Sequence, residues 1–240
     1  MKEGDHFDGI ASKYIQAVSA LATIYQQASE QVTPLLRGRR VVDVGSGGMF
    51  AYDTSAPSSI VAMDVSNGML DLINEDHIEK VVGDARDFGP IADGSFDAVV
   101  FGLVLHHVTG DSRPQTEATL RDVLRVARTK IRKDGLVIIL ESVVNPVAYF
   151  LETLLYPVTQ WILGRSGKAM ILLFSDRAVK EAVQSSFGRE FFKMRHVTLA
   201  SPRSFDPLAG SYPGFINIPS WISPIYFKLY VIELFATAQI

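Results

Sequence analysis

Short apolar runs separated by more polar stretches dominate the first 140 residues of the chain. Five of these runs are continuous and rich in β-branched residues. This pattern predicts strands that are buried on both faces of a parallel sheet. The five runs are 41–44, 60–63, 80–82, 98–101 and 136–140. Two later strands are predicted at 191–199 and 227–236.

Helical patterns lie between the runs. Ser66 is a candidate cap for a helix over 67–73, and 116–131 has one apolar face with its basic residues elsewhere. Asp134 and Gly135 predict a turn into the fifth strand. The alternation predicts an α/β fold: a Rossmann-like, doubly wound, mostly parallel sheet of seven strands whose last strand is antiparallel.

A glycine-rich turn follows the first run, at Gly45, Gly47 and Gly48, and Asp64 ends the second run 17 positions after Gly47 (64 minus 47). Glycines let the backbone approach a ligand closely, and an acid at the next strand end can accept both hydroxyls of a ribose. The spacing therefore predicts an adenosine-containing small ligand. The competing interpretation, strongest for Asp43 and Asp84, is that a strand-end acid only caps the next helix.

Composition narrows the class of protein. The chain has 240 residues, is 48% hydrophobic and carries a formal net charge of −3, which argues against an electrostatic nucleic-acid binder. It has no cysteine, which excludes disulfides, thiolate nucleophiles and zinc sites of the cysteine type. The polar N-terminus and the lack of an apolar run of roughly 20 residues predict a cytoplasmic chain without a transmembrane segment.

Four blocks in a fixed order carry a family resemblance. They are 41–47, 61–70, 82–88 and 95–108, within a region of roughly 38–142. Together they resemble the class I S-adenosylmethionine-dependent methyltransferases. The start of the chain, from His6 to Tyr14, resembles the quinone-biosynthesis C-methyltransferase branch of that family.

The resemblance implies the cofactor S-adenosyl-L-methionine, with S-adenosyl-L-homocysteine as product. Asp43 would lie near the ammonium group, Asp64 would accept from the ribose, and Asp84 would accept from the adenine amino group. The complete set of implied cofactor contacts is Tyr14, Asp43, Gly45, Ser46, Gly47, Asp64, Val65, Met69, Asp84, Ala85, Arg86, Phe101 and Gly102.

The chain departs from the family at its first motif. Met49 occupies the position of the usual third glycine, and residues 49–59 lack a long apolar stripe. The helix after the glycine turn is therefore expected to be short or partly loop. The same departure weakens the alternative of a nicotinamide-dependent dehydrogenase, whose fingerprint needs a third small residue.

The domain prediction is one methyltransferase-like unit over residues 1–240. Residues 1–37 would form an N-terminal helical lid, and 143–175 and 200–225 would form caps around the acceptor pocket. Both caps are aromatic, which suits an aromatic or lipid-like small molecule, although the same side chains could instead form a homodimer face. No nucleic-acid partner is expected.

Methyl transfer from a sulfonium needs alignment and the exclusion of water, and it needs a base only when the acceptor holds a proton. His106 and His107, at the exit of the fourth strand, are the candidate catalytic residues. Neither their spacing nor that of Asp111 requires a metal. The predicted function is transfer of a methyl group to O or C of an apolar or aromatic small molecule. The alternative is a protein of the same fold that holds the cofactor structurally or catalyses a reaction such as a cyclisation.

Overall fold

Strands and helices follow one another in the order that the sequence predicts. The computed structural model describes residues 21–166, 171–188, 191–199, 204–205, 218–219 and 224–235. The strands are β1 (Arg40–Val44), β2 (Ser59–Asp64), β3 (Ile78–Val82), β4 (Phe96–Gly102), β5 (Ile131–Val144), β6 (Phe174–Ser175), β7 (Phe192–Leu199), β8 (Ser204–Phe205), β9 (Ile218–Pro219) and β10 (Ile225–Leu234). The helices are α1 (Ala22–Leu36), α2 (Asn67–Leu70), α3 (Arg113–Lys130), α4 (Pro146–Ser166) and α5 (Asp176–Phe187), with a 3-10 turn at Leu105–His107.

The main sheet has the strand order β3-β2-β1-β4-β5-β10-β7. Strands β1 to β5 pair in parallel, whereas β10 is antiparallel to both of its neighbours, β5 and β7. The predicted fold class is confirmed. A two-residue eighth strand, β6, pairs with the end of β5, and β8 and β9 form a separate pair. The chain passes from β1 to β2 on one side of β1, whereas β4 lies on the other side of β1. The carboxyl ends of β1 and β4 therefore border a crevice, which is where sheets of this kind bind ligands.

Helices cover both faces of the sheet. Along β1, Val41 and Val42 point into different hydrophobic clusters, as expected for a strand that is buried on both sides. One cluster contains the apolar faces of α3 and α5, and the other contains the buried face of α1. The described part of the predicted N-terminal lid is therefore helical and packs on the sheet, while residues 1–20 lie outside the described residues. Its role as a lid stays a prediction.

Two boundaries differ from the predictions. The turn at Asp134 and Gly135 is wrong as an element boundary, because β5 begins at Ile131 and includes both residues. Asp134 has a positive φ of 63°, and the pairing of β4 with β5 shifts register between Phe96 and Ala98. The irregularity lets β5 keep pairing with β4 on both sides of it. The third strand also begins earlier than predicted, at Ile78.

The segment after the glycine turn contains no helix between β1 and β2, which confirms the expectation of a partly looped segment. Ala51 and Tyr52 are nonetheless buried, and Met49 and Phe50 pack against the cluster that includes α1. The amide of Asp53 donates to Thr33 Oγ1 on α1 at 2.9 Å. Apolar side chains from this loop therefore cover the part of the sheet that a helix would otherwise cover.

The predicted caps are described in part. Residues 143–175 include the end of β5, α4 and β6, and Pro157 lies within α4. Of residues 200–225, only Ser204–Phe205, Ile218–Pro219 and residues 224–225 are described. Whether these segments cap an acceptor pocket stays a prediction.

Candidate functional site

A pocket of about 580 Å³ opens at the carboxyl ends of β1, β2 and β4, in the crevice that the strand order defines. That volume includes space that is open to solvent. Its lining residues are Val44, Gly45, Met63, Asp64, Val65, Met69, Gly83, Asp84, Ala85, Arg86, Leu103, Val104, His107 and Val108.

The glycine turn forms one wall of this pocket. Gly45 has a positive φ of 67°, and its amide donates to Met63 O at 2.7 Å. A Cβ on Gly45 would lie 2.2 Å from Val104 Cγ2, so this position excludes any side chain on steric as well as conformational grounds. The backbone is thereby held at the pocket wall, where a ligand can approach it.

Asp64 ends β2 beside the turn and is 8% exposed. Its Oδ1 accepts from the Ser66 amide at 2.9 Å, and Ser66 Oγ in turn accepts from the Met69 amide at 3.1 Å. Ser66 is therefore the cap of α2, as predicted. This chain of bonds fixes the orientation of the Asp64 carboxylate at the pocket.

Asp84 and Arg86 form the opposite side. Asp84 Oδ1 accepts from the Arg86 amide at 2.9 Å, and Oδ2 accepts from the Arg86 guanidinium at 2.9 Å. Both side chains are more than a third exposed, so this ion pair contributes little to stability. A ligand donor could replace the guanidinium without breaking a buried contact.

Asp43 lies beneath the turn and does not line the pocket. It is 2% exposed, and its Oδ1 has no hydrogen-bond partner. Burial raises the pKa of Asp43 to about 8, the nearby Tyr52 hydroxyl opposes this rise, and the charge of Asp64 adds to it. The Tyr52 hydroxyl is itself buried and lies outside hydrogen-bond geometry. Burial therefore favours the protonated form of Asp43 in the folded protein.

The two histidines at the exit of β4 have different surroundings. His107 lines the pocket, whereas His106 does not. His106 Nδ1 lies 2.6 Å from Oε1 of Glu141, which is fully buried at the end of β5. The rings of His106 and His107 are 4.2 Å apart, centre to centre.

Glu141 also accepts hydrogen bonds from two backbone amides, one next to His106 and one next to itself. Its Oε2 accepts from the Leu105 amide at 3.0 Å, and its Oε1 accepts from the Ser142 amide at 2.8 Å. The Ser142 hydroxyl donates to the same oxygen at 3.2 Å. A buried carboxylate with this many donors orients the imidazole and leaves its Nε2 as the nitrogen that can accept a proton.

The structure brings most of the predicted contacts together. The predicted residues that line the pocket are Gly45, Asp64, Val65, Met69, Asp84, Ala85, Arg86 and His107. The predicted residues that do not line it are Asp43, Ser46, Gly47, Phe101, Gly102 and His106. Tyr14 lies outside the described residues. For Asp43, Ser46, Gly47, Phe101 and Gly102 the contact with the cofactor stays a prediction, and so does the catalytic role of His106.

Sequence reasoning missed several members of the site. The additional lining residues are Val44, Met63, Gly83, Leu103, Val104 and Val108. All of them adjoin predicted positions at strand ends, so the strand-end rule extended by one residue would have included most of them. Glu141 was also missed as a site residue. Its signal was an acid at the end of an otherwise apolar strand, the same signal that identified Asp43 and Asp64.

Among the aromatic residues of the two predicted caps, those whose side chains the structure describes do not line this pocket. Phe174 is fully buried in the core beside Val143, because β6 pairs with β5 there. Tyr149 stacks under Arg113, Tyr156 is buried against the loop at Gly110, and Phe150 is exposed. The side chains of the other predicted aromatics, Trp161, Phe205, Tyr212, Phe215 and Trp221, are outside the described part of the chain.

Two features of the described residues bear on other classes of function. Among these residues, no cluster of three or more His, Asp or Glu side chains is arranged to hold a metal ion. Within the same ranges, no helix combines the length and the apolar character that crossing a membrane requires.

The chain has a Rossmann-like sheet with a pocket at its carboxyl edge, where sheets of this kind bind their ligands. A family profile described as "Methyltransferase domain" matches residues 42–139. A demethylmenaquinone methyltransferase from Mycolicibacterium vanbaalenii is 33% identical over 128 residues, which are 51% of this chain and 54% of the relative. The chain thus spans about half the length of the curated relatives that it matches.

Solved structures agree with this assignment at the level of the fold. The methyltransferase bound to the Trm112 activator of Haloferax volcanii superposes with a TM-score of 0.69 at 16% identity, covering 99% of both chains. The [4+2]-cyclase SpnF superposes with a TM-score of 0.61 at 15% identity, covering 97% of this chain and 96% of SpnF. Together these matches support the class I S-adenosylmethionine-dependent methyltransferase family recognised from the four sequence blocks, and the cofactor that this family implies.

Proposed function

We propose that the chain binds S-adenosyl-L-methionine in this pocket and transfers its methyl group to a small-molecule acceptor. The observation that carries the proposal is the convergence of Gly45, Asp64 and Asp84 on one pocket at the strand crossover. These residues come from three separate sequence blocks, and each offers the group that one part of the cofactor requires. Packing alone does not require two acids and a side-chain-free turn at one wall.

The residues present fit the cofactor. Asp64, already oriented by Ser66, would accept from the ribose hydroxyls. Asp84 would accept from the adenine amino group in place of the Arg86 guanidinium, with the Ala85 amide as the complementary donor. The backbone of 45–47 would meet the methionine portion, and the ammonium group would approach the unpartnered oxygen of Asp43. Tyr14, Phe101 and Gly102 remain proposed contacts on the basis of the resemblance.

When bound, the cofactor supplies a methyl group on a sulfonium, which leaves as a neutral thioether without help from an acid. The chain has only to align the acceptor in line with that bond and to keep water away. Val104, Leu103 and Val108 form an apolar wall beside the pocket and serve the second purpose.

His106 is the proposed base for an acceptor that holds its proton at neutral pH. Glu141 would act as a positioning residue, because it fixes the protonated Nδ1 and leaves Nε2 to accept the proton. His107 lines the pocket itself and would contact the reacting groups directly. Methyl transfer to an acceptor with no proton to lose would not need His106.

The proposed acceptor is an aromatic or lipid-like small molecule, methylated on O or C. The support is the identity of 33% to a protein named as a demethylmenaquinone methyltransferase, together with the likeness of residues 6–14 to quinone-modifying relatives. The caps at 143–175 and 200–225 and the lid at 1–37 are proposed to complete the acceptor side. The cytoplasm is the proposed location.

A second function has specific support. SpnF, a protein named as a cyclase, shares the fold at a TM-score of 0.61. A cyclase would leave the cofactor unchanged, whereas a methyltransferase converts it to S-adenosyl-L-homocysteine. Formation of that product in the presence of a quinol acceptor would distinguish the two functions.

Calorimetry with S-adenosyl-L-homocysteine tests the proposed site. We expect a dissociation constant at the micromolar level or below for the unaltered protein. Asp64→Ala should weaken binding by about 1.5–3 kcal/mol, roughly ten- to hundred-fold, because it removes a charge-assisted acceptor. Asp76→Ala, at an exposed acid away from the pocket, is the control and should bind normally. The absence of both heat and a melting shift at millimolar ligand would refute the proposal.

A further inference from the structure

Helix α4 presents its apolar side to solvent. Of the eleven large hydrophobic side chains that are exposed in the described part of the chain, six fall between residues 147 and 158. They are Val147, Phe150, Leu151, Leu154, Leu155 and Val158, and each is between 49% and 69% exposed. We call these six residues the outer stripe.

The spacing of the outer stripe is that of one helix face. Its members lie at intervals of three, one, three, one and three residues, which places them side by side over about 17 Å of the helix. Contiguous exposed apolar surface of this extent is uncommon on a protein that stays monomeric, and it usually marks a place of contact.

The inward side of the same helix is polar. Glu152 pairs with the buried Arg113 at 3.1 Å, and the Arg113 guanidinium lies 4.3 Å from the centre of the Tyr149 ring. The Tyr149 hydroxyl donates to Glu117, and the Tyr156 hydroxyl donates to the carbonyl oxygen of Gly110. Arg113 also donates to Leu173 O at 2.7 Å. These contacts fix the rotation of α4, so the outer stripe cannot turn inward without losing all of them.

We infer that the outer stripe is the contact face of a homodimer, in which α4 of one copy packs against α4 of another. Between Pro146 and Val158 the only charged residue is Glu152, and it faces inward. The face is therefore neutral and aliphatic, and a second copy offers it a surface of the same chemistry. A two-fold contact needs such self-complementarity, because each residue meets the same patch on the partner.

Charge argues against a membrane surface as the occupant. Helices that lie on anionic bilayers combine their apolar face with lysines and arginines on the polar side. From Pro146 to Val158, α4 has neither, and its polar side is taken up by Arg113 and Glu117 of α3. The chain as a whole carries a formal charge of −3, which adds no attraction to an anionic lipid.

The size of the stripe sets the expected strength. One helix face is smaller than the roughly 800 Å² per partner of a standard stable interface. The dimer should therefore form in a concentration-dependent way, with a dissociation constant on the micromolar scale. The cofactor pocket lies at the strand ends and does not include the outer stripe, so both copies can bind ligand.

Sedimentation of the full chain from about 1 to about 100 µM tests this inference. The mass should rise from 26.4 kDa towards twice that value as concentration increases. Leu154→Lys and Leu151→Lys should each weaken the dimer at least tenfold, because a charge would be buried against the partner's stripe. Thr153→Lys is the matched control, since Thr153 is exposed on the same helix but lies outside the stripe. It should leave the dimer intact.

Cross-linking gives a second readout that does not depend on the affinity. The chain has no cysteine, so one introduced thiol can report on its own surroundings. Leu151→Cys or Leu154→Cys, near the middle of the stripe, should give a disulfide-linked dimer under mild oxidation. Thr153→Cys should give much less. All of these positions are at the surface, so the variants should keep the circular dichroism of the unaltered protein.

Three results would overturn the inference. One is a monomer at every concentration tested, with no cross-linking at Leu151 or Leu154. Another is a monomer that sediments with phosphatidylcholine vesicles and loses that binding in Leu154→Lys, which would assign the stripe to lipid. A third is a dimer that both lysine variants leave unchanged, which would place the interface elsewhere.

Discussion

Two buried carboxyl groups near the carboxyl edge of the sheet, Asp43 on β1 and Glu141 on β5, have opposite surroundings. Glu141 accepts from the amides of Leu105 and Ser142 and from His106 Nδ1. Asp43 has an oxygen without any hydrogen-bond partner, and burial raises its pKa to about 8. The protein's own donors therefore bond both oxygens of Glu141, whereas they leave one oxygen of Asp43 without a hydrogen bond.

The difference indicates different uses. A buried carboxylate with several donors is stable as an anion and can hold a neighbouring imidazole in one tautomer. A buried carboxyl group without donors is costly as an anion until a cation arrives. Under the proposed function, that cation is the ammonium group of the cofactor. Glu141 then has the same partners with and without the cofactor, whereas Asp43 gains its partner only when the cofactor binds.

Glu141→Ala should give the largest effect. It removes the acceptor of two backbone amides and of His106, and it leaves a cavity in the sheet edge. We expect a loss of about 3–5 kcal/mol in the free energy of unfolding, measured by urea denaturation. Glu141→Gln keeps the volume and one acceptor oxygen, so it should cost clearly less. A loss below about 1 kcal/mol for the alanine variant would show that these contacts do not stabilise the fold.

Asp43→Asn should give a smaller effect that depends on pH. The pKa of Asp43 in the folded protein, about 8, lies above the ordinary value of about 3.9 for the unfolded chain. The folded state therefore binds the proton more tightly. The stability that the protonated Asp43 contributes is fully present below pH 4. It is lost as the pH rises towards 8, by at most about 1.4 kcal/mol per pH unit.

The comparison with Asn isolates that effect, because asparagine does not titrate. At pH 4 the two ligand-free proteins should have similar melting temperatures. At pH 8 the variant should be the more stable of the two proteins, because only the unaltered protein loses stability as Asp43 ionises. Parallel stability curves from pH 4 to pH 8 would show that Asp43 is not held in the protonated form.

The smallest effect concerns the His106 ring, and nitrogen NMR of the imidazole measures it. The neutral His106 ring should be protonated at Nδ1 and bare at Nε2, because Glu141 accepts from Nδ1. In Glu141→Gln the ring should populate both tautomers. A His106 ring that is protonated at Nε2 in the unaltered protein would contradict the proposed base.

The sequence predicted the parallel half of the sheet well, because its signal is local. A buried parallel strand appears as a continuous apolar run, and Asp43 and Asp64 follow two such runs. Asp64 and Asp84 both line the described pocket, and their contacts with the cofactor stay predictions. The spacing of Met49 and the polar residues after it also predicted that no regular helix follows the turn.

What the sequence could not predict depends on contacts between distant residues. The pairing of His106 with Glu141 spans 35 positions and follows from the neighbouring positions of β4 and β5 in the sheet. The reversed polarity of α4 depends on Arg113, which lies 39 positions before Glu152. Composition alone marked residues 143–175 as apolar, but it could not show which side of the helix faces the protein.

Proton release on cofactor binding tests the central contrast most directly. Calorimetry with S-adenosyl-L-homocysteine at pH 7, in two buffers with different heats of ionisation, counts the protons exchanged. We predict the release of close to one proton per molecule bound, because the ammonium group would favour the charged form of Asp43. Asp43→Asn should abolish most of that release. Equal binding heats in both buffers for the unaltered protein would contradict the account of Asp43 as the carboxyl group that the cofactor completes.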